Sequence, residues 1–123
     1  MAVNLSLELE RGPRAPHRAR RAFEAACGDL DAGTRADARL LVSELVTNGL
    51  KYGGVGPVRL EVTLTDERLR AEVIDQGQGF EPRKRSADLE DVGGWGLPLV
   101  EHLADRWGTY RGSTHVWFEI ELA

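Results

Sequence analysis

The period of the hydrophobic positions changes several times along the chain. Leu5, Leu7 and Leu9 alternate with Ser6 and Glu8, the two-residue repeat of a half-buried strand ending near Arg11 and Gly12. Pro13 and Pro16 then introduce a stretch rich in Ala and Arg that runs to about Cys27, which predicts a helix stopped at Gly28. After an Asp31–Thr34 turn a second helix is expected from about Arg35 to Tyr52. Its apolar stripe is Ala38, Leu41, Val42, Leu45, Val46 and Leu50, and Gly53 and Gly54 stop it.

The two-residue repeat returns in Val58, Leu60, Val62 and Leu64, and again in Leu69, Ala71 and Val73 beyond a turn at Asp66 and Glu67. This is an antiparallel hairpin with one charged, water-facing side. From Glu81 to Asp91 the chain is polar and aperiodic and reads as a mobile loop, a lid up to Val92 whose order depends on a ligand. Leu97 to Leu103 looks helical. A short strand around Trp107–Arg111 and a last one from Thr114 to Leu122, with Val116, Phe118, Ile120 and Leu122 inward, close the chain.

Strand, two helices, two strands, loop, helix, two strands is the order of a two-layer α/β (α+β) sandwich, in which helices cover one face of a mixed, mostly antiparallel sheet. Adjacent antiparallel strands argue against a doubly wound dinucleotide fold. Gly77 and Gly79 lack the third glycine of its fingerprint, Pro82 standing in that place, and no Walker-type Gly-Lys-Ser/Thr occurs.

Composition narrows the classes of function. At 123 residues and 41% hydrophobic the chain suits one domain, residues 1–123, with a core that needs no metal or disulfide. Sixteen basic against twenty acidic residues leave a net charge of −4, so nucleic acid is not the expected partner. A single cysteine, Cys27, cannot form an internal bridge, no secretory leader is read, and no apolar run reaches the roughly 20 residues of a membrane helix. A soluble, cytoplasmic protein is expected.

Four polar features fall where apolar residues or plain connectors were due. Glu44 and Asn48 are four residues apart on the second helix, so they share a face along the border of the apolar stripe. They could simply bond each other at the helix surface. They could also be a carboxylate that handles a proton and an amide oxygen that binds Mg²⁺, a cation that takes oxygen ligands and keeps waters. Asp75 continues the inward set of Leu69, Ala71 and Val73, and Gly77 and Gly79 follow it. An inward carboxylate there could accept hydrogen bonds from an exocyclic amine such as that of adenine, or could merely end a strand in an Asp-x-Gly turn. Gly93, Gly94, Trp95, Gly96 and Leu97 precede Pro98, which reads as a glycine loop opening a helix, suited to phosphates or simply a connector. Thr114 shares the inward parity of Val116, Phe118 and Ile120.

The succession Glu44-x-x-x-Asn48, Asp75-x-Gly77-x-Gly79, Gly94-x-Gly96-Leu97 and an inward Thr114 resembles the GHKL superfamily of ATPases and kinases, from about Leu40 to Leu122. In that family these are the N box and the two glycine boxes, and they line an ATP pocket in the Bergerat fold. The resemblance implies ATP and Mg²⁺ as cofactors, with Asp75 recognising adenine, Asn48 helping to hold Mg²⁺ and Glu44 acting as general base. It implies further that Gly77, Gly79, Gly94, Gly96, Leu97 and Thr114 border the nucleotide.

Within the superfamily the gyrase-type relatives are much larger, and sensor histidine kinases add a helical hairpin carrying a phosphoacceptor His. His17, His102 and His115 are scattered here. A free-standing module opening with a strand and a helix resembles the bacterial anti-sigma-factor serine kinases, which bind a sigma factor and phosphorylate a serine of a small anti-sigma-factor antagonist. That resemblance implies those two protein partners and allows a homodimer. Tyr52 and Val92 stand where such kinases often carry His and Arg, and any γ-phosphate contact from the loop would fall to Arg83, Lys84 or Arg85. A non-catalytic ATP-dependent regulator and a plain ATPase are the alternative readings.

Overall fold

The computed structural model describes residues 2–52, 56–74, 97–109 and 115–122, with the backbone alone at 52, 97, 98 and 115. Strand β1 (Val3–Leu9) shows the expected alternation, its inner side chains closing progressively from a half-buried Val3 to a fully buried Leu9. Helix α1 (Ala15–Ala26) carries Pro16 in its first turn and buries Ala15, Ala19 and Phe23, each one turn after the last, against the core. It ends at Cys27, whose N–H donates to the carbonyl of Phe23 (2.8 Å). The Cys27 thiol is buried, and that desolvation raises its pKa.

Helix α2 spans Ala32–Tyr52 and so begins inside what the sequence reads as a turn. The reason is Asp31. Its Oδ2 accepts the N–H of Thr34 (3.0 Å) and its carbonyl accepts the N–H of Arg35 (2.9 Å), so the residues after it wind directly into the first turn. The Thr34 hydrogen bonds lower the Asp31 pKa, as expected for a carboxylate at a helix N-terminus. Ala38, Leu41, Val42, Leu45 and Val46 are buried as their spacing predicts, and Leu50 is partly buried.

Strands β2 (Val58–Leu64) and β3 (Arg68–Ile74) form the hairpin. Its turn is fastened by Thr65, whose Oγ1 accepts the N–H groups of Glu67 (3.2 Å) and Arg68 (3.1 Å). Helix α3 (Leu97–Leu103) and strands β4 (Arg106–Thr109) and β5 (His115–Glu121) complete the described chain. The sheet order is β1-β2-β3-β5-β4. All four described pairings are antiparallel, where the sequence allowed a mixed sheet. Val58, Leu60 and Val62, Leu69, Ala71 and Val73, and Val116, Phe118 and Ile120 point to the same side, which α1 and α2 cover. α3 packs against α2 and β4. The architecture is a two-layer α+β sandwich.

The register brings several chain ends together. Leu9, the last residue of β1, pairs with Val58, the first of β2, and Ile74, the last of β3, pairs with His115, the first of β5. One end of the sheet therefore holds the exit from β1, the entry to β2, the exit from β3 toward Asp75 and the entry to β5 from Thr114. The lid expected over 81–92 lies outside the described residues.

Candidate functional site

The C-terminal third of α2 lies over that same end of the sheet. A Cβ added to Gly49 would sit 3.6 Å from both γ-carbons of Val58 and from Cγ1 of Val73, an ordinary packing distance, so the helix backbone here lies directly over the start of β2 and the end of β3. Asn48 is the neighbour of Gly49 and is thereby carried into the space between helix and sheet. It is 4% exposed and is the one buried polar side chain among the described residues.

Its environment is unusual for an amide. Oδ1 is closed to solvent and accepts no hydrogen bond among the described residues. A buried carbonyl oxygen without a donor costs roughly 1–3 kcal/mol, and native structures nearly always satisfy such atoms. An oxygen lone pair held dry and unused is what a hard cation with its own water shell can take up. An amide oxygen of this kind is a donor that fits Mg²⁺. No cluster of three or more His, Cys, Asp or Glu side chains that could hold a metal by itself occurs among the described residues.

Glu44 lies one turn before Asn48 on α2 and is half-buried. Among the described residues no hydrogen bond joins the two side chains.

The other expected site residues fall outside the described residues: Asp75, Gly77, Gly79, Gly94, Gly96 and Thr114, together with the side chain of Leu97. What the structure supplies for them is the frame. Leu69, Ala71 and Val73 are buried as the inward parity leading to Asp75 requires, and Val116, Phe118 and Ile120 are buried as the parity following from Thr114 requires. Two grooves among the described residues lie elsewhere. One, of about 600 Å³, runs between α1 and α2 and includes Arg20, Arg39, Leu40 and Ser43. The other, of about 440 Å³, lies between the β1–α1 turn and the last turns of α2, and neither is lined by Glu44 or Asn48.

The sequence reading missed Arg11. Its Nη1 donates to the carbonyls of Gly49 (3.2 Å) and Leu50 (3.0 Å), immediately after Asn48. A lone arginine between a strand and a Gly-Pro turn belongs to no periodic pattern, so no local signal marked it.

α2 thus presents a buried, unpartnered amide and, one turn earlier, a half-buried carboxylate over one end of an antiparallel sheet. The chain belongs to the family of the histidine kinase-like ATPase domain, whose model matches residues 9–120 and so takes in every candidate site residue. Among curated proteins it is similar to the serine-protein kinase RsbW of Staphylococcus epidermidis, with 30% identity over 93 residues, 63% of this chain and 58% of that protein. It is similar also to the serine-protein kinase RsbW of Staphylococcus aureus, with 27% identity over the same shares of the two chains. The matched stretch thus spans less than two thirds of these relatives. Among the described residues no helix is long and apolar enough to cross a membrane.

Proposed function

We propose that this chain is an ATP-binding, anti-sigma-factor-like regulator with serine kinase activity, which transfers the γ-phosphoryl group of ATP to a serine of an anti-sigma-factor antagonist. The observation that carries the reading is the buried, unpartnered Oδ1 of Asn48 one helical turn from a half-buried Glu44. Membership of the ATPase family supports nucleotide binding, and similarity to serine-protein kinases supports the choice of phosphoacceptor.

In this reading Asp75 accepts the adenine amine, and Gly77, Gly79, Gly94, Gly96 and Leu97 give the nucleotide close backbone approach, with Thr114 beside them. Asn48 holds Mg²⁺, which when bound neutralises charge on the phosphates and orients them. Glu44 accepts the proton of the incoming serine hydroxyl as its oxygen bonds to the γ-phosphorus and the bond to ADP breaks. A sigma factor and its antagonist are the proposed partners, the cytoplasm the proposed compartment, and a single domain over 1–123 the proposed organisation.

The test separates chemistry from binding. Glu44→Ala is expected to keep Mg·ATP affinity within a few-fold by titration calorimetry while single-turnover transfer from γ-labelled ATP to the co-purified acceptor falls by about 10²- to 10⁴-fold. Transfer at the wild-type rate would remove Glu44 from the mechanism. Nucleotide binding without transfer in the wild-type protein would favour a non-catalytic, ATP-dependent regulator.

A further inference from the structure

Arg11 stands two residues beyond the end of β1, and its guanidinium spans to the last turn of α2. Nη1 donates to the carbonyls of Gly49 and Leu50, two of the last four carbonyls of the helix, which have no partner within it. The positive charge also lies at the negative end of the helix dipole. The opposite edge of the same group, Nε and Nη2, is buried and has no hydrogen-bond partner. That edge is the two-pronged one that commonly takes a carboxylate.

The fold alone gives little reason for this arrangement. A buried guanidinium with an unsatisfied edge is costly, and an apolar side chain of similar length often replaces such a group without loss of stability. What a hydrocarbon cannot do is hold two carbonyls of a helix end. Helices fray from their termini, and α2 runs only four residues past Asn48, to Tyr52. Unwinding of that final turn would carry away the backbone on which Asn48 sits, whereas Glu44, a full turn deeper, would be less affected.

We infer that Arg11 is a positioning residue that clamps the last turn of α2 and thereby keeps Oδ1 of Asn48 aimed at the nucleotide-bound cation. The inference rests on the reading of Asn48 given above. It separates Asn48 from Glu44: loss of the clamp weakens the Mg²⁺-dependent part of ATP binding and raises the apparent KM, while kcat at saturating Mg·ATP is retained.

Arg11→Met and Arg11→Lys, made in the full chain, test this. Amide hydrogen exchange without nucleotide is expected to quicken about tenfold at 49–52 in Arg11→Met and to stay unchanged at 38–45, the size of effect that one or two hydrogen bonds produce. ATP affinity is expected to fall about tenfold in Mg²⁺ and to stay constant in EDTA, with Arg11→Lys recovering part of both effects because it retains the charge and a donor. The melting temperature of Arg11→Met stays within a few degrees of wild type, since the relieved buried edge offsets the lost carbonyl bonds. Unchanged exchange at 49–52 would overturn the clamp. An equal loss of ATP affinity with and without Mg²⁺ would overturn its link to Asn48. Were wild-type protein to bind ATP with no dependence on Mg²⁺, the reading of Asn48 would fail on its own, and the exchange comparison would still decide the clamp.

Discussion

The two faces of the sheet solve the problem of polar groups in opposite ways. On the outer face, ion pairs run across the strands. Glu119 on β5 accepts hydrogen bonds from Arg106 of β4 (2.8 Å) and Arg70 of β3 (2.9 Å), and Glu121 is bonded by Arg68 and Arg106. Arg70 also lies 4.5 Å over the ring of Trp117, which itself rests against Gly108 so closely that a Cβ there would come within 3.1 Å of the indole. The inner face under the helices is apolar, and the single buried polar side chain among the described residues, Asn48 of α2, leaves an oxygen unused. The satisfied charges need no ligand to explain them, whereas the unsatisfied oxygen is the feature on which the proposed Mg²⁺ site rests.

The largest expected effect comes from neighbours on β5 that face opposite ways. Phe118 is fully buried in the inner layer, so Phe118→Ala is expected to destabilise the fold by about 3–5 kcal/mol through lost burial and the cavity left behind. Trp117 is half-buried on the outer side, and Trp117→Ala is expected to cost only about 1–2 kcal/mol, most of it the cation–π contact and partial burial. Urea unfolding of the two variants measures both. Equal losses would mean that the outer face carries a packed core of its own, and the two-layer contrast would collapse.

A smaller effect of opposite sign is expected at the polar intruder. Asn48→Val removes the orphan oxygen with a residue close in size and similar in helix propensity. Stability is expected to be unchanged or to rise by up to about 1–2 kcal/mol, because an unsatisfied buried acceptor disappears, while Mg²⁺-dependent ATP binding is lost. A marked drop in melting temperature would show that the amide is a structural member of the core, and the contrast between the faces would lose its functional meaning.

How far the sequence anticipates this molecule depends on the range of the interaction. Strands announce themselves by alternation, as with Leu5, Leu7 and Leu9, because the pleat has a fixed period, and α2 by its stripe from Ala38 to Leu50. The early start of α2 escaped because Asp31 serves as a cap whose partner, Thr34, was read as part of a turn. Asn48 and Glu44 were legible as a polar pair interrupting an apolar helix. The dryness of Asn48 was not, since it depends on α2 packing over Val58 and Val73, residues close in space and distant in sequence. Arg11 shows the limit most plainly: its contacts lie 38 and 39 residues away, and nothing in its own neighbourhood encodes them. Sheet order is of the same kind, because the insertion of β5 between β3 and β4 follows from packing that no local window contains.

The smallest expected effect tests the outer face through pH. Glu119 is 14% exposed at its side chain, and its pKa is lowered chiefly by the hydrogen bond from Arg106, with Arg70 and the nearby charge of Arg68 adding to it against the opposing effect of burial. A carboxylate whose folded-state pKa lies below its unfolded value stabilises the fold above the unfolded value. That contribution is lost as pH falls through the folded one. Glu119→Gln is therefore expected to be less stable than wild type at neutral pH, by about 1 kcal/mol because Arg68 and Arg106 are half-exposed and screened by solvent. The gap should narrow as pH drops below the ordinary glutamate value of 4.5 and close once the folded-state carboxyl is protonated, when Glu and Gln present nearly the same neutral group. It should also shrink at high salt. Thermal unfolding of both proteins across that acid range provides the measurement. A difference that persists unchanged into acid would show that Glu119 acts through shape or packing, and the description of the outer face as a lattice of satisfied charges would have to be abandoned.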